Sequence, residues 1–92
     1  MSEYIEIEPE TSDDGTEIHF LTNLLLVEGG EEFYDSAAAL EEGSPVAQAL
    51  APVFGIAQLR MSGNDLFIIP HPDTDWHAII ADVTAALKDF FL

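Results

Sequence analysis

The sequence predicts an α+β fold: a two-layer sandwich, an antiparallel sheet with helices on one face, in the order β-β-α-β-β-α. Three observations predict it. Residues 4–8 and 17–21 alternate with period two around a turn-forming stretch, the pattern of a half-buried hairpin. Ser44-Pro45 places a capping hydroxyl before a proline at the first helical position. At 100° per residue, Trp76, Ile79, Ile80, Val83, Leu87, Phe90 and Phe91 fall within roughly a 120° arc, the stripe of a helix covering a sheet.

The elements follow in order. In the first strand Ile5 and Ile7 share one face, with Tyr4, Glu6 and Glu8 on the other, and Pro9 is expected to end it. Thr11-Ser12-Asp13-Asp14-Gly15 supplies turn residues. In the second strand Ile18 and Phe20 share the inner face, and His19 falls on the polar one. Residues 24–27 form a short apolar run that extends this strand or crosses a sheet edge, punctuated by Gly29-Gly30. Phe33-Tyr34 is compatible with a brief edge strand. Asp35 or Ser36 caps a short helix through Leu40, stopped by Gly43.

The helix that starts at Ser44 carries Val46 and Leu50 at helical spacing and is expected to end near Pro52. Gly55 allows the chain to reverse. In the strand from Ile56 to Met61, Ala57, Leu59 and Met61 face one way, Gln58 and Arg60 the other. Ser62-Gly63-Asn64 fits a hairpin turn. Residues 66–69 are apolar on both faces, as in a central strand. Pro70 and Pro72 terminate it, and Asp75 caps the last helix.

Ninety-two residues make one domain, 1–92, with one modest core. At 48% hydrophobic residues the chain is too apolar for a disordered acidic tail. It has no cysteine, so neither a disulfide nor a thiolate metal site is available. A polar, acidic start argues against a signal peptide, and no apolar run reaches the ~18 residues of a membrane span. A soluble, cytoplasmic protein is expected.

The net charge is −16, from 18 acids against Arg60 and Lys88. Thirteen of the acids lie in residues 1–42, which hold no Lys or Arg. Such a surface repels nucleic-acid backbones and anionic membranes, so neither is expected as a partner. The acidity reads first as a solvated surface suited to a salty cytoplasm, next as a docking face for a basic partner, and last as a nucleic-acid mimic, which lacks a phosphate-like carboxylate spacing.

The one metal-like constellation is His71-x-Asp73-x-Asp75-x-His77. Imidazole and carboxylate are proper ligands for zinc or ferrous iron, which makes His71, Asp73 and His77 candidate metal ligands. The bland alternative is favoured: Asp75 caps the helix, Asp73 shapes the loop and both histidines are solvated. His19 reads as a surface histidine rather than a catalytic base. Arg60 lies within reach of a sheet face, where an exposed pair with a carboxylate would add little. Adjacent acids such as Asp13-Asp14 or Glu31-Glu32 do not converge on a substrate. No serine lies in a nucleophile elbow, and no glycine-rich loop cradles phosphate. No enzyme and no cofactor is expected.

Five pieces in order carry a family resemblance: Ser44-Pro45-Val46-Ala47-Gln48-Ala49-Leu50; Gly55-Ile56; Gly63-Asn64-Asp65-Leu66-Phe67-Ile68; Asp75-Trp76; and Asp89-Phe90-Phe91. Together they resemble the N-terminal domain of Nfu/NifU-type iron–sulfur scaffold proteins over nearly the whole chain. The family's Thr-Pro-Asn-Pro-Asn loop is replaced here by residues 10–15, and the Cys-x-x-Cys of its cluster-binding domain is missing. The resemblance implies an accessory or partner-binding role around iron–sulfur cluster assembly or delivery, with assembly proteins or cluster-accepting enzymes as partners, and not cluster ligation. The rival readings are a His/Asp metal-binding protein and a small regulatory protein unconnected with iron.

Overall fold

A computed structural model describes residues 5–91. Five strands, β1 (Ile7–Thr11), β2 (Ile18–Thr22), β3 (Glu31–Tyr34), β4 (Ile56–Ser62) and β5 (Asp65–Pro70), form one sheet in the order β1-β2-β5-β4-β3. Every pairing is antiparallel. Three helices, α1 (Ala37–Glu41), α2 (Pro45–Leu50) and α3 (Trp76–Phe91), cover one face. The architecture is the expected two-layer α+β sandwich, with β3 as the added edge strand. Among the described residues no helix is long and apolar enough to cross a membrane.

The core lies between the layers. From the sheet come Ile18, Phe20, Leu59, Met61, Leu66 and Ile68; from the helices come Leu40, Leu50, Ile79, Val83 and Leu87, all nearly or wholly buried. Among the described residues no polar or charged residue is buried with them, so burial of apolar surface is not offset by unpaired polar groups. The caps are as the sequence implies. Ser36 and Ser44 each accept a backbone N–H three residues on, from Ala39 and Ala47 at 3.1 and 3.3 Å, and Asp75 accepts the His77 N–H at 3.0 Å.

Four details differ from the sequence reading. Pro9 does not end the first strand: β1 runs through it to Thr11, because the strand is a sheet edge, where a missing N–H is tolerated. Tyr4, placed in that strand by its pattern, lies outside the described residues. Ala57 does not share the face of Leu59, because a register shift between Ile56 and Gln58 turns Ile56 into the core instead. Residues 24–27 do not extend β2. They cross the β4–β5 hairpin tip, with the Leu26 N–H donating to the Gly63 carbonyl at 2.9 Å and Asn64 Nδ2 to the Leu24 carbonyl at 2.6 Å. Finally, β5 is central but not covered on both faces: Leu66 and Ile68 are buried, whereas Phe67 and Ile69 look out from the side without helices.

Gly43, expected to stop the short helix, does so without a positive φ. The ring and hydroxyl of Tyr34 lie where a Cβ would stand, 2.5–2.6 Å away. That hydroxyl accepts the Ser44 N–H and donates to Glu32, which ties β3 to the start of α2. Gly55 does need its positive φ of 102°, and a Cβ there would overlap Thr74.

Candidate functional site: the open face of the sheet

The hairpin between β4 and β5 sets the register of the uncovered face. Gly63 and Asn64 form a two-residue turn, with Gly63 at φ 60°, so Ser62 stands opposite Asp65 and Arg60 opposite Phe67. On the other side of β5, His19 stands opposite Phe67, and Glu10 opposite His19. Phe33 stands opposite Arg60. One rank thus crosses all five strands: Glu10, His19, Phe67, Arg60, Phe33.

Phe67 is the centre of that rank. The His19 ring stacks on it, centroids 4.3 Å apart and planes 17° from parallel. The Arg60 guanidinium carbon lies 4.3 Å from the same ring's centroid. Stacking contributes about 0.5–1.5 kcal/mol beyond area burial, and an exposed cation–π contact about 0.5–1 kcal/mol. His19 Nε2 also meets Asp65 Oδ1 at 3.1 Å. Both side chains are partly solvated, so this contact orients the imidazole more than it stabilises the fold. Beside the rank is a shallow cavity of about 160 Å³, lined by Glu17, Phe33, Gln58, Leu59, Arg60, Phe67 and Ile69. Phe33 is 59% exposed at its rim.

Arg60 is one of two Lys or Arg residues in the chain, and among the described residues no ion pair involves it. The face therefore combines a lone guanidinium, the exposed ring of Phe33, the half-buried ring of Phe67 and a rim of carboxylates from Glu10, Glu17 and Asp65.

The sequence-predicted ligands lie elsewhere. His71 follows β5, where its N–H donates to the Gly55 carbonyl at 2.8 Å and its carbonyl accepts from Thr74 Oγ1 at 2.7 Å. Asp73 adopts φ 65° in the exposed turn, Asp75 caps α3, and His77 is exposed in its first turn. Among the described residues no three His, Asp or Glu side chains are grouped to hold a metal ion. Sequence reasoning weighed His19 and Arg60 singly and missed that Phe67 joins them. The Gly63-Asn64 turn was the available signal, since it alone sets Arg60 against Phe67.

The fold is a two-layer α+β sandwich with one sheet face left bare by the helices. It is similar to a NifU-like fold. The solution NMR structure of a NifU-like protein from Saccharomyces cerevisiae superimposes with a TM-score of 0.76 at 20% identity, covering 92% of this chain and 76% of that one. The crystal structure of protein SAV1430 from Staphylococcus aureus superimposes with a TM-score of 0.72 at 10% identity, covering 89% of this chain and 98% of that one. No family model and no curated protein sequence matches the chain.

Proposed function

We propose that this chain is a non-enzymatic partner-binding module associated with iron–sulfur cluster assembly or delivery. The observation that carries the reading is the likeness to the yeast NifU-like protein along 92% of the chain. The chain holds no cysteine, so it offers no thiolate to a cluster and acts through protein contacts. The bare sheet face supplies the surface. Exposed Phe33 and half-buried Phe67 provide apolar area, and Arg60 provides one directional cation. The acidic N-terminal half adds long-range attraction for a basic partner and repels anionic surfaces.

The test is affinity purification of the tagged chain from its own cells, with Arg60→Glu and Phe67→Ala variants alongside. Cluster-assembly proteins or cluster-dependent enzymes should co-purify with the native chain and be depleted with either variant. Deletion should lower the activity of cluster-dependent enzymes. Recovery of none of these proteins, with cluster-enzyme activity unchanged on deletion, would refute the reading.

A further inference from the structure

The sheet has two edges, β1 and β3, and only one of them is blocked. Ladder parity decides which backbone groups point outward. Between β1 and β2, the Ser12 N–H donates to the Glu17 carbonyl at 2.9 Å and the Asn23 N–H to the Glu6 carbonyl at 3.3 Å. Alternation from these bonded positions turns Glu8 and Glu10 toward β2, and Ile7, Pro9 and Thr11 away from it. Pro9 therefore sits at an outward position, and its missing N–H breaks the row that another strand would need.

The opposite edge has no such break. Ser62 and Asp65 flank the two-residue turn and bond to each other, so Ser62 and Arg60 face β5 while Met61 and Leu59 face β3. Their partners Glu32 and Tyr34 bond inward, which leaves the N–H and C=O of Glu31 and Phe33 directed at the free side. Among the described residues no backbone hydrogen bond outside the ladder involves either residue.

Charge selects what pairs there. Glu28, Glu31, Glu32 and Asp35 surround the edge, and residues 1–42 carry no Lys or Arg. A second copy is disfavoured: antiparallel pairing centred on Phe33 would set Glu31 against Asp35 of the other copy, between two chains of net charge −16. We infer that β3 accepts an extended basic segment of a partner protein as a sixth strand, its main chain bonding to Glu31 and Phe33 and an apolar side chain packing beside the Phe33 ring. The same acids that keep copies apart attract such a segment.

The inference rests on the reading of the chain as a partner-binding module and on nothing in its link to iron–sulfur chemistry. Its test uses the isotope-labelled chain and a short peptide alternating lysine with valine. Binding should shift amide resonances along β3 and its neighbour β4 and slow hydrogen exchange at Glu31 and Phe33. A peptide of equal charge with two adjacent valine and lysine positions changed to proline and ornithine should bind about tenfold more weakly, because it cannot complete the ladder. Phe33→Pro should lose the alternating peptide by a similar factor. Should that variant misfold, Glu31→Pro removes the other outward N–H. Equal binding of both peptides, shifts confined to β1 or the 12–17 turn, or no binding would each overturn the inference. Peptide failure beside successful recovery of assembly proteins refutes the edge alone. Peptide success without that recovery refutes the iron–sulfur link alone.

Discussion

The Arg60 guanidinium lies 4.3 Å from the centroid of the Phe67 ring, one strand over, and His19 stacks on the same ring from the other side. One of the chain's two Lys or Arg residues thus lies against an aromatic face on the bare side of the sheet, in a molecule with 18 carboxylates. Arg60→Ala is expected to lower unfolding free energy by about 0.5–1 kcal/mol. Phe67→Ala, which also removes the His19 stack and half-buried apolar area, is expected to cost about 1–3 kcal/mol. Urea denaturation of both single variants and the double variant measures the coupling, expected near 0.5 kcal/mol. Zero coupling would mean that the two side chains are neighbours without an energetic link.

Glycine substitutions separate crowding from backbone strain. At an unstrained position, Gly→Ala stabilises by about 0.4–1 kcal/mol. Gly43 has no positive φ, yet its Cβ would overlap the Tyr34 ring. Gly43→Ala is therefore expected to destabilise, by about 1–3 kcal/mol as for other overpacked sites. Tyr34→Leu in the same chain should recover part of that loss, a non-additivity readable from chemical denaturation midpoints. Gly30, at φ 90° with open space around it, tests the other cause: Gly30→Ala should destabilise through backbone strain, and no neighbour should rescue it.

What was legible in the sequence is what local chemistry decides. The caps at Ser44 and Asp75 and the stripe from Trp76 to Phe91 depend on residues within a few positions of one another. Pro9 was misread because its effect depends on whether the strand is an edge, which only the sheet order settles. The bulge at Ile56 and the bare face of Phe67 and Ile69 likewise depend on what packs above or beside the strand. The rank on the open face joins Glu10 to Arg60 through three lateral pairings, and only one of its links, Arg60 to Phe67, was fixed by a local turn.

The 12–17 turn carries a titrating group with a definite sign. Asp14 Oδ1 accepts from the Ser12 hydroxyl at 2.7 Å and from the Thr16 hydroxyl at 2.8 Å, with the Thr16 N–H at 3.2 Å. The Ser12 bond first, then those from Thr16, hold its carboxyl below the usual aspartate value. The folded chain then binds fewer protons at this site than the unfolded chain as pH falls through the ordinary range. The contribution is present above the unfolded value and is lost as pH drops through the lowered folded one. Carbon-detected NMR titration should give Asp14 a midpoint below that of the same residue in an unfolded peptide. Asp14→Ala should remove this part of the acid-side dependence, read as the difference between the two chains. A coincident midpoint would show that the turn bonds do not favour the carboxylate.

Salt should raise the thermal stability of this chain. Its net charge is −16 with histidine neutral, and among the described residues the one contact of a carboxylate with a basic-type side chain is the partly exposed one between Asp65 and the His19 imidazole. Screening therefore has almost no attraction to weaken and much repulsion to relieve, most of it among the thirteen acids of residues 1–42. With a Debye length of about 10 Å at 0.1 M, most of the gain should come between low and a few tenths molar salt. Sodium and potassium chloride should act alike if screening alone is at work. A further rise into the molar range would mark adaptation of the acidic surface to a salty interior, whereas a melting temperature flat from low to molar salt would show that the carboxylates are too dispersed to strain the fold. Replacing Glu8 and Glu10 by glutamine should raise the low-salt melting temperature and leave the high-salt value nearly unchanged, because the removed repulsion is already screened there.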